Sequence, residues 1–206
     1  MKLSKGNKLT IFALILLVID QIVKVLVKTN MTIGESIPVI GDWFQILFVE
    51  NDGMAFGMSF GGDIGKYFLT TFRIILSCVL ILWIRRLLKR EDEVPTGVLI
   101  ALTAILCGAL GNIVDCLFYG IIFSESTISD VAQFLPMEGG YAPMLLGRVV
   151  DMFYFPIIET TLPDWVPIWG GREFTFFNAI FNVADSCITV GAAYLIIFQW
   201  KFFNKQ

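Results

Sequence analysis

The chain has 206 residues, 56% of them hydrophobic and 16% charged, with a mean hydropathy of +0.76. A soluble domain carries about 45–50% apolar and about a quarter charged residues, so this balance reads as an integral membrane protein of one domain, 1–206. A net charge of −3 argues against a nucleic-acid partner, and the absence of histidine excludes a Ser-His-Asp triad, a Cys-His pair and an HExxH zinc site.

The first segment, Met1 to Leu9, carries Lys2, Lys5 and Lys8 ahead of an apolar run. The run is long for a secretory signal, holds Asp20 and Lys24, and lacks a small-residue cleavage site. It reads as a retained first transmembrane helix over 10–27. Asp20 and Lys24 stand at i and i+4, where a carboxylate and an ammonium can pair on one face. A purely structural pair and a site-supporting pair fit that spacing equally.

Residues 28–66 are not membrane-like. IPVIGDWFQILFVEN is β-branched and aromatic around a Gly41-Asp42 turn, which predicts a short hairpin or small sheet outside the membrane. It runs into Asn51-Asp-Gly53-Met-Ala-Phe-Gly57, whose glycines suggest backbone in special conformations. Apolar runs at 67–84 and 97–120 predict the second and third spans. The second carries Arg73 inside it and Arg85, Arg86, Lys89 and Arg90 after it. The third holds Gly108 and Gly111, which permit close helix approach, and Asn112 and Asp115 on one side.

The stretch 121–176 is the longest region between spans and reads as an outer loop. Its apolar piece Gly147-Arg-Val-Val-Asp151-Met-Phe-Tyr-Phe-Pro156 is shorter than the roughly 20 residues a span needs, so it is expected to lie at the surface or dip partway in. Trp165 and Trp169 suit a membrane interface. The fourth helix is predicted over 177–200. On it Asn178, Asn182 and Asp185 would share one face, with Asp185 about seven residues, roughly 10 Å, into the helix. The expected fold is therefore an all-α integral membrane protein of four transmembrane helices with a small extracytoplasmic β-rich region and an outer loop.

Most cations flank one side of four alternating helices, while Lys28, Lys66, Arg148 and Arg172 fall on the other. This positive-inside asymmetry predicts cytoplasmic termini and outer loops at 28–66 and 121–176. Asp115, Asp151 and Asp185 then lie at similar depth near the outer leaflet. Cys78, Cys107, Cys116 and Cys187 form no CxxC pair, so they read as buried apolar residues. Without imidazole or a metal motif, two carboxylates sharing a proton can still hydrolyse a peptide, one as base and one as acid. A proton-coupled transporter using Asp20, Asp115 and Asp185 as relays is an alternative, but it predicts carboxylates spread through the membrane. A structural subunit packing through Gly108 and Gly111 would leave Asp151 unexplained.

Five motifs in order give a more specific reading. Asp20-x-x-x-Lys24, Asn51-x-Gly53-x-Ala55-Phe56, GNIVD at Gly111 to Asp115, VVDMF at Val149 to Phe153 and FNVADS at Phe181 to Ser186 resemble the lipoprotein signal peptidases, the type II signal peptidases of bacteria. The resemblance implies Asp151 and Asp185 as a catalytic dyad, with Asn112, Asp115 and Asn182 supporting it and Asn51 and Gly53 nearby. It implies a mainly structural role for Asp20 and Lys24, no cofactor, and a place in the inner membrane; a monomer is the expected state. The implied substrate is a prolipoprotein cleaved N-terminal to a diacylglyceryl-modified cysteine, beside membrane lipids. Two features depart from the family pattern. Cys116 stands where an arginine usually follows the third-helix aspartate, and the gap from Asp115 to Asp151 is long. Arg148, three residues before Asp151, is the expected source of the missing guanidinium.

Overall fold

The computed structural model describes residues 3–52, 62–165, 167–176 and 178–204. Gly53 and the rest of the turn through Gly57 lie outside the described residues. Among those described, three helices are long and apolar enough to cross a membrane: Lys5–Asn30 (α1), Gly62–Leu88 (α2) and Thr96–Ile122. The last comprises Thr96–Val114 (α3), a π-helical turn at Asp115–Tyr119, and Gly120–Ile122 (α4). Leu14, Ile15, Val18 and Ile22 of α1 and Phe68, Ile75, Val79 and Leu82 of α2 are exposed. An apolar surface of this extent suits lipid rather than water.

The chain is not all-α. Ser36–Ile40 (β1), Phe44–Asn51 (β2), Val149–Tyr154 (β3) and Ile180–Phe181 (β6) form an antiparallel sheet in the order β1-β2-β3-β6. Ile158–Thr161 (β4) and Glu173–Phe176 (β5) pair separately. The hairpin predicted around Gly41 is present, with Gly41 at φ +51° in its turn. The VVDMF segment is a sheet-interior strand rather than a surface or dipping segment, its first four residues all buried. A strand covered on both faces reads as a continuous apolar run, so the alternation that marks a half-exposed strand is missing.

The fourth helix also differs from expectation. Val183–Phe198 (α5) has 16 residues, about 24 Å at 1.5 Å each, and a short helix Trp200–Phe203 (α6) follows it. Residues 178–181 stay outside the helix because β6 pairs Phe181 and Ile180 with Phe153 and Tyr154. Asn182 is the N-cap and Asp185 sits in the first turn, so the expected Asn178–Asn182–Asp185 helical face and the 10 Å depth do not form.

Helix α3 packs against α5, α1 and α2. The approach of α3 to α5 and α1 depends on glycine: a Cβ at Gly108 would lie 2.2 Å from the Ala184 carbonyl oxygen on α5, and one at Gly111 would lie 2.6 Å from an Asp20 carboxylate oxygen on α1. Two apolar clusters cap the bundle. One joins Leu9, Ile84, Leu99 and Leu195 near the chain termini; the other joins Val27, Phe48, Tyr119 and Met152 beneath the sheet. The polar residues singled out above lie in the layer between them.

Candidate active site

The site is built from the start of α5. Asn182 and Asp185 form a capping box: the Asn182 side-chain oxygen accepts from the Asp185 N–H at 2.9 Å, and the Asn182 N–H donates to Asp185 Oδ2 at 3.4 Å. The box satisfies two donors that the start of a helix would otherwise leave orphaned. The Asn182 Nδ2 group then reaches into the sheet. It donates to Asp151 Oδ1 at 2.6 Å, to the Val150 carbonyl at 3.3 Å and to Asn112 Oδ1 at 3.3 Å. One fully buried amide therefore ties Asp151 on β3, Asp185 on α5 and Asn112 on α3 together.

Asp151 is buried and also accepts from Asn51 Nδ2 on the neighbouring strand β2. Its carboxyl is pushed up to about 7, first by burial and then by the nearby charge of Asp185. Hydrogen bonds from Asn182 and Asn51, and the charge of Lys24, oppose this shift without cancelling it. Burial and the neighbouring charge both favour the protonated form of Asp151. Asp185 is only half-buried, and its Oδ1 accepts from Asn112 Nδ2 at 2.9 Å.

Behind this pair lies a closed ionic cluster. The fully buried Lys24 ammonium meets Asp20 Oδ2 at 3.0 Å, Asp115 Oδ2 at 2.7 Å and Asn112 Oδ1 at 2.8 Å, which uses all three of its protons. Asp20 Oδ1 accepts from the Ala184 N–H at 2.8 Å, an otherwise open donor in the first turn of α5. The predicted Asp20–Lys24 pair thus exists and docks the helix that carries Asp185. Sequence reasoning missed Gln21, which donates to Asp115 Oδ1 at 3.0 Å and to the Gly111 carbonyl at 3.3 Å, and it missed Tyr119, which donates to Gln21 at 3.2 Å. The cue for Gln21 is a polar residue in an apolar run, next to an aspartate.

Arg148 does not join Asp151. It donates to Glu50 at 3.5 Å and to Glu125 at 3.2 Å, and its guanidinium lies 5.3 Å from the Tyr141 ring. Three residues apart means one face on a helix but opposite faces on a strand. Because Val149–Tyr154 is a strand, Arg148 points away from the carboxylates and joins the cluster of Glu50, Lys28 and Ser126.

A cavity of about 370 Å³ opens beside Asp185, lined by Asn112 and Asp185, by Arg73 and Ser77 of α2, and by apolar residues of α2, α3 and α5. A larger cavity of about 480 Å³ lies on the opposite face of α5, and neither Asp151 nor Asp185 lines it. Among the described residues no cluster of carboxylates or cysteines suits a metal ion.

Known proteins resemble this chain over most of its length. The family model described as signal peptidase (SPase) II matches residues 12–201. This chain belongs to the signal peptidase II family. A lipoprotein signal peptidase of Porphyromonas gingivalis is 45% identical over 196 residues, covering 95% of this chain and 84% of the relative. One from Amoebophilus asiaticus is 37% identical over 187 residues, covering 90% and 74%. A bacterial membrane enzyme solved by the in meso method shares the fold, with a TM-score of 0.62 and 22% identity over 97% of this chain and 92% of that one. Membership in a signal peptidase II family favours the peptidase reading over the transporter and the packing subunit.

Proposed function

We propose that this protein is an aspartic endopeptidase of the bacterial inner membrane. It removes the signal peptide from diacylglyceryl-modified prolipoproteins, cleaving N-terminal to the lipidated cysteine. Asp151 and Asp185 form the dyad. The observation that carries the assignment is Asn182: its side chain bonds both residues, which are 34 positions apart, while burial and then the charge of Asp185 raise the carboxyl of Asp151 to about 7. The pair then holds one proton near neutral pH.

Cleavage follows from that state. The ionised member takes a proton from water as the water oxygen attacks the scissile carbonyl carbon. The protonated member gives its proton to the carbonyl oxygen. Collapse of the tetrahedral species breaks the C–N bond, the departing amine takes a proton from the dyad, and the new carboxyl stays on the signal peptide. Asn51, Asn112 and Asn182 hold the two carboxyls in place, while Asp20, Lys24 and Asp115 act as the scaffold behind them. The substrate's acyl chains remain in hydrocarbon beside α2 and α5, and its cysteine sits at the interface. Because the cations gather at the end of the bundle that holds the termini, we read both termini as cytoplasmic and the dyad as lying near the outer leaflet. One chain supplies every group named, and we read the enzyme as a monomer.

The decisive experiment incubates purified protein with lipidated and unlipidated precursor. Lipidated precursor is expected to be cleaved and unlipidated precursor spared. Asp151→Asn and Asp185→Asn should each lower the rate by about 100- to 10,000-fold while the protein inserts normally. Either variant cleaving at the wild-type rate would remove that residue from the dyad.

A further inference from the structure

The cavity beside Asp185 contains two polar groups that this mechanism does not use. Arg73 and Ser77 of α2 both line it, opposite Asn112 and Asp185, with Leu80 and Ile105 among its apolar residues. Ser77 is 4% exposed, and its hydroxyl has no partner among the described residues. An unmade hydrogen bond in a buried site costs about 1–3 kcal/mol, so a hydroxyl left in this state beside a cavity points to a ligand that completes it. Among the described residues Arg73 is the one cation lining the cavity, and its charge also acts on Cys116 in the π-helical turn after α3. It sits in the middle of the second apolar run, where a cation is costly unless it faces a working site.

Their spacing defines the ligand. Arg73 and Ser77 are one helical turn apart, about 6 Å along the axis. An extended peptide repeats its same-side carbonyls every second residue, about 6.6 Å apart. A segment entering a peptidase site must leave its helix to expose the scissile bond, and its carbonyls then lack partners in a medium without water. A guanidinium and a hydroxyl offer donors to such carbonyls. We propose that Arg73 and Ser77 are substrate-binding residues, a donor track on α2 for two main-chain carbonyls, two residues apart, in the extended segment just N-terminal to the scissile bond. This rests on the peptidase reading above. It also moves the site's cation from Arg148, which the strand turns away, to the neighbouring helix.

The test uses full-length protein in lipid nanodiscs and a synthetic precursor carrying a diacylglyceryl cysteine. Arg73→Leu should raise KM by about 10- to 100-fold with little change in kcat, and Ser77→Ala by about 2- to 10-fold, because the lost bonds are made equally to substrate and transition state. Arg73→Lys should recover part of the loss. Replacing the precursor's main-chain oxygens by sulfur, one at a time over the four residues before the scissile bond, should raise KM at two positions two residues apart. Arg73→Leu and Ser77→Ala should each erase one of those penalties. Wild-type KM in Arg73→Leu, or a flat sulfur scan with the wild-type enzyme, overturns the proposal; the scan decides even if a variant does not fold. Failure of the peptidase reading is distinguishable, since the wild-type protein would then not cleave the precursor at all.

Discussion

Asn112 has one side-chain oxygen, and two donors claim it: Lys24 at 2.8 Å and Asn182 at 3.3 Å. The amide therefore cannot flip, and its Nδ2 must aim at Asp185 Oδ1. Lys24 thus fixes the orientation of a group at the proposed dyad without touching either member. Replacing Lys24 by Met would leave Asp20 and Asp115 as buried carboxylates without their cation. A loss of about 3–5 kcal/mol is expected, read as a lower midpoint in thermal unfolding of the purified protein. Asn51 makes a gentler probe. It donates to Asp151 and favours the ionised carboxylate, so removing it moves the proton's release to higher pH. The pH profile of kcat/KM is expected to fall on its basic side near the value of the pair, and Asn51→Ala should move that limb upward. A limb left in place, or moved downward, would separate Asn51 from the titrating pair.

At the scale of the elements, the approach of α3 to α5 sets the distance between Asn112 and Asp185. Gly108→Ala would put a methyl group 2.2 Å from the Ala184 carbonyl oxygen, which is backbone and cannot rotate away. Helix α5 must shift, and with it the capping box. The expected cost is about 1–3 kcal/mol of stability together with lost peptidase activity, measured by thermal unfolding and precursor cleavage. Much of this layer was legible from the chain. Long apolar runs gave three helices, and a Gly41-Asp42 turn between β-branched residues gave the hairpin. Carboxylates and amides in apolar surroundings marked Asp20, Asn112, Asp115, Asp151, Asn182 and Asp185, which the fold gathers into one polar layer. What was not legible came from period. A six-residue segment rich in apolar residues has no alternation when both faces are covered, so β3 is unreadable as a strand, and nearness in sequence does not show that Arg148 leaves the side of Asp151. Residues 179–181 are apolar enough to continue a helix, and the pairing of Ile180 and Phe181 with β3, with the Asn182 cap, holds them out of it. The Asn182-x-x-Asp185 spacing before an apolar run was a start signal that could have placed the boundary correctly.

Over the whole molecule, the site is a source of instability at neutral pH. Asp151 has a folded-state value of about 7, against about 4 for an ordinary carboxyl in an unfolded chain. Between those values the folded protein holds a proton that the unfolded chain has released. Stability therefore falls as pH rises through that window, and above about 7 the full penalty of an ionised carboxylate remains. The contribution is fully present below about pH 4, where both states are protonated. Asp151→Asn keeps the shape and removes the charge. Its amide oxygen can still accept from the Asn182 side chain, which the capping box holds in place. The neutral variant is expected to unfold at a higher temperature than the wild type at pH 8, with the gap shrinking toward zero by pH 4, even though it no longer cleaves precursor. Thermal unfolding in the same detergent at both pH values measures this. A variant less stable than the wild type at pH 8, or a gap that grows as the solution is acidified, would mean that the carboxyl is not held above its ordinary range. The shared proton on which the hydrolysis depends would then be absent.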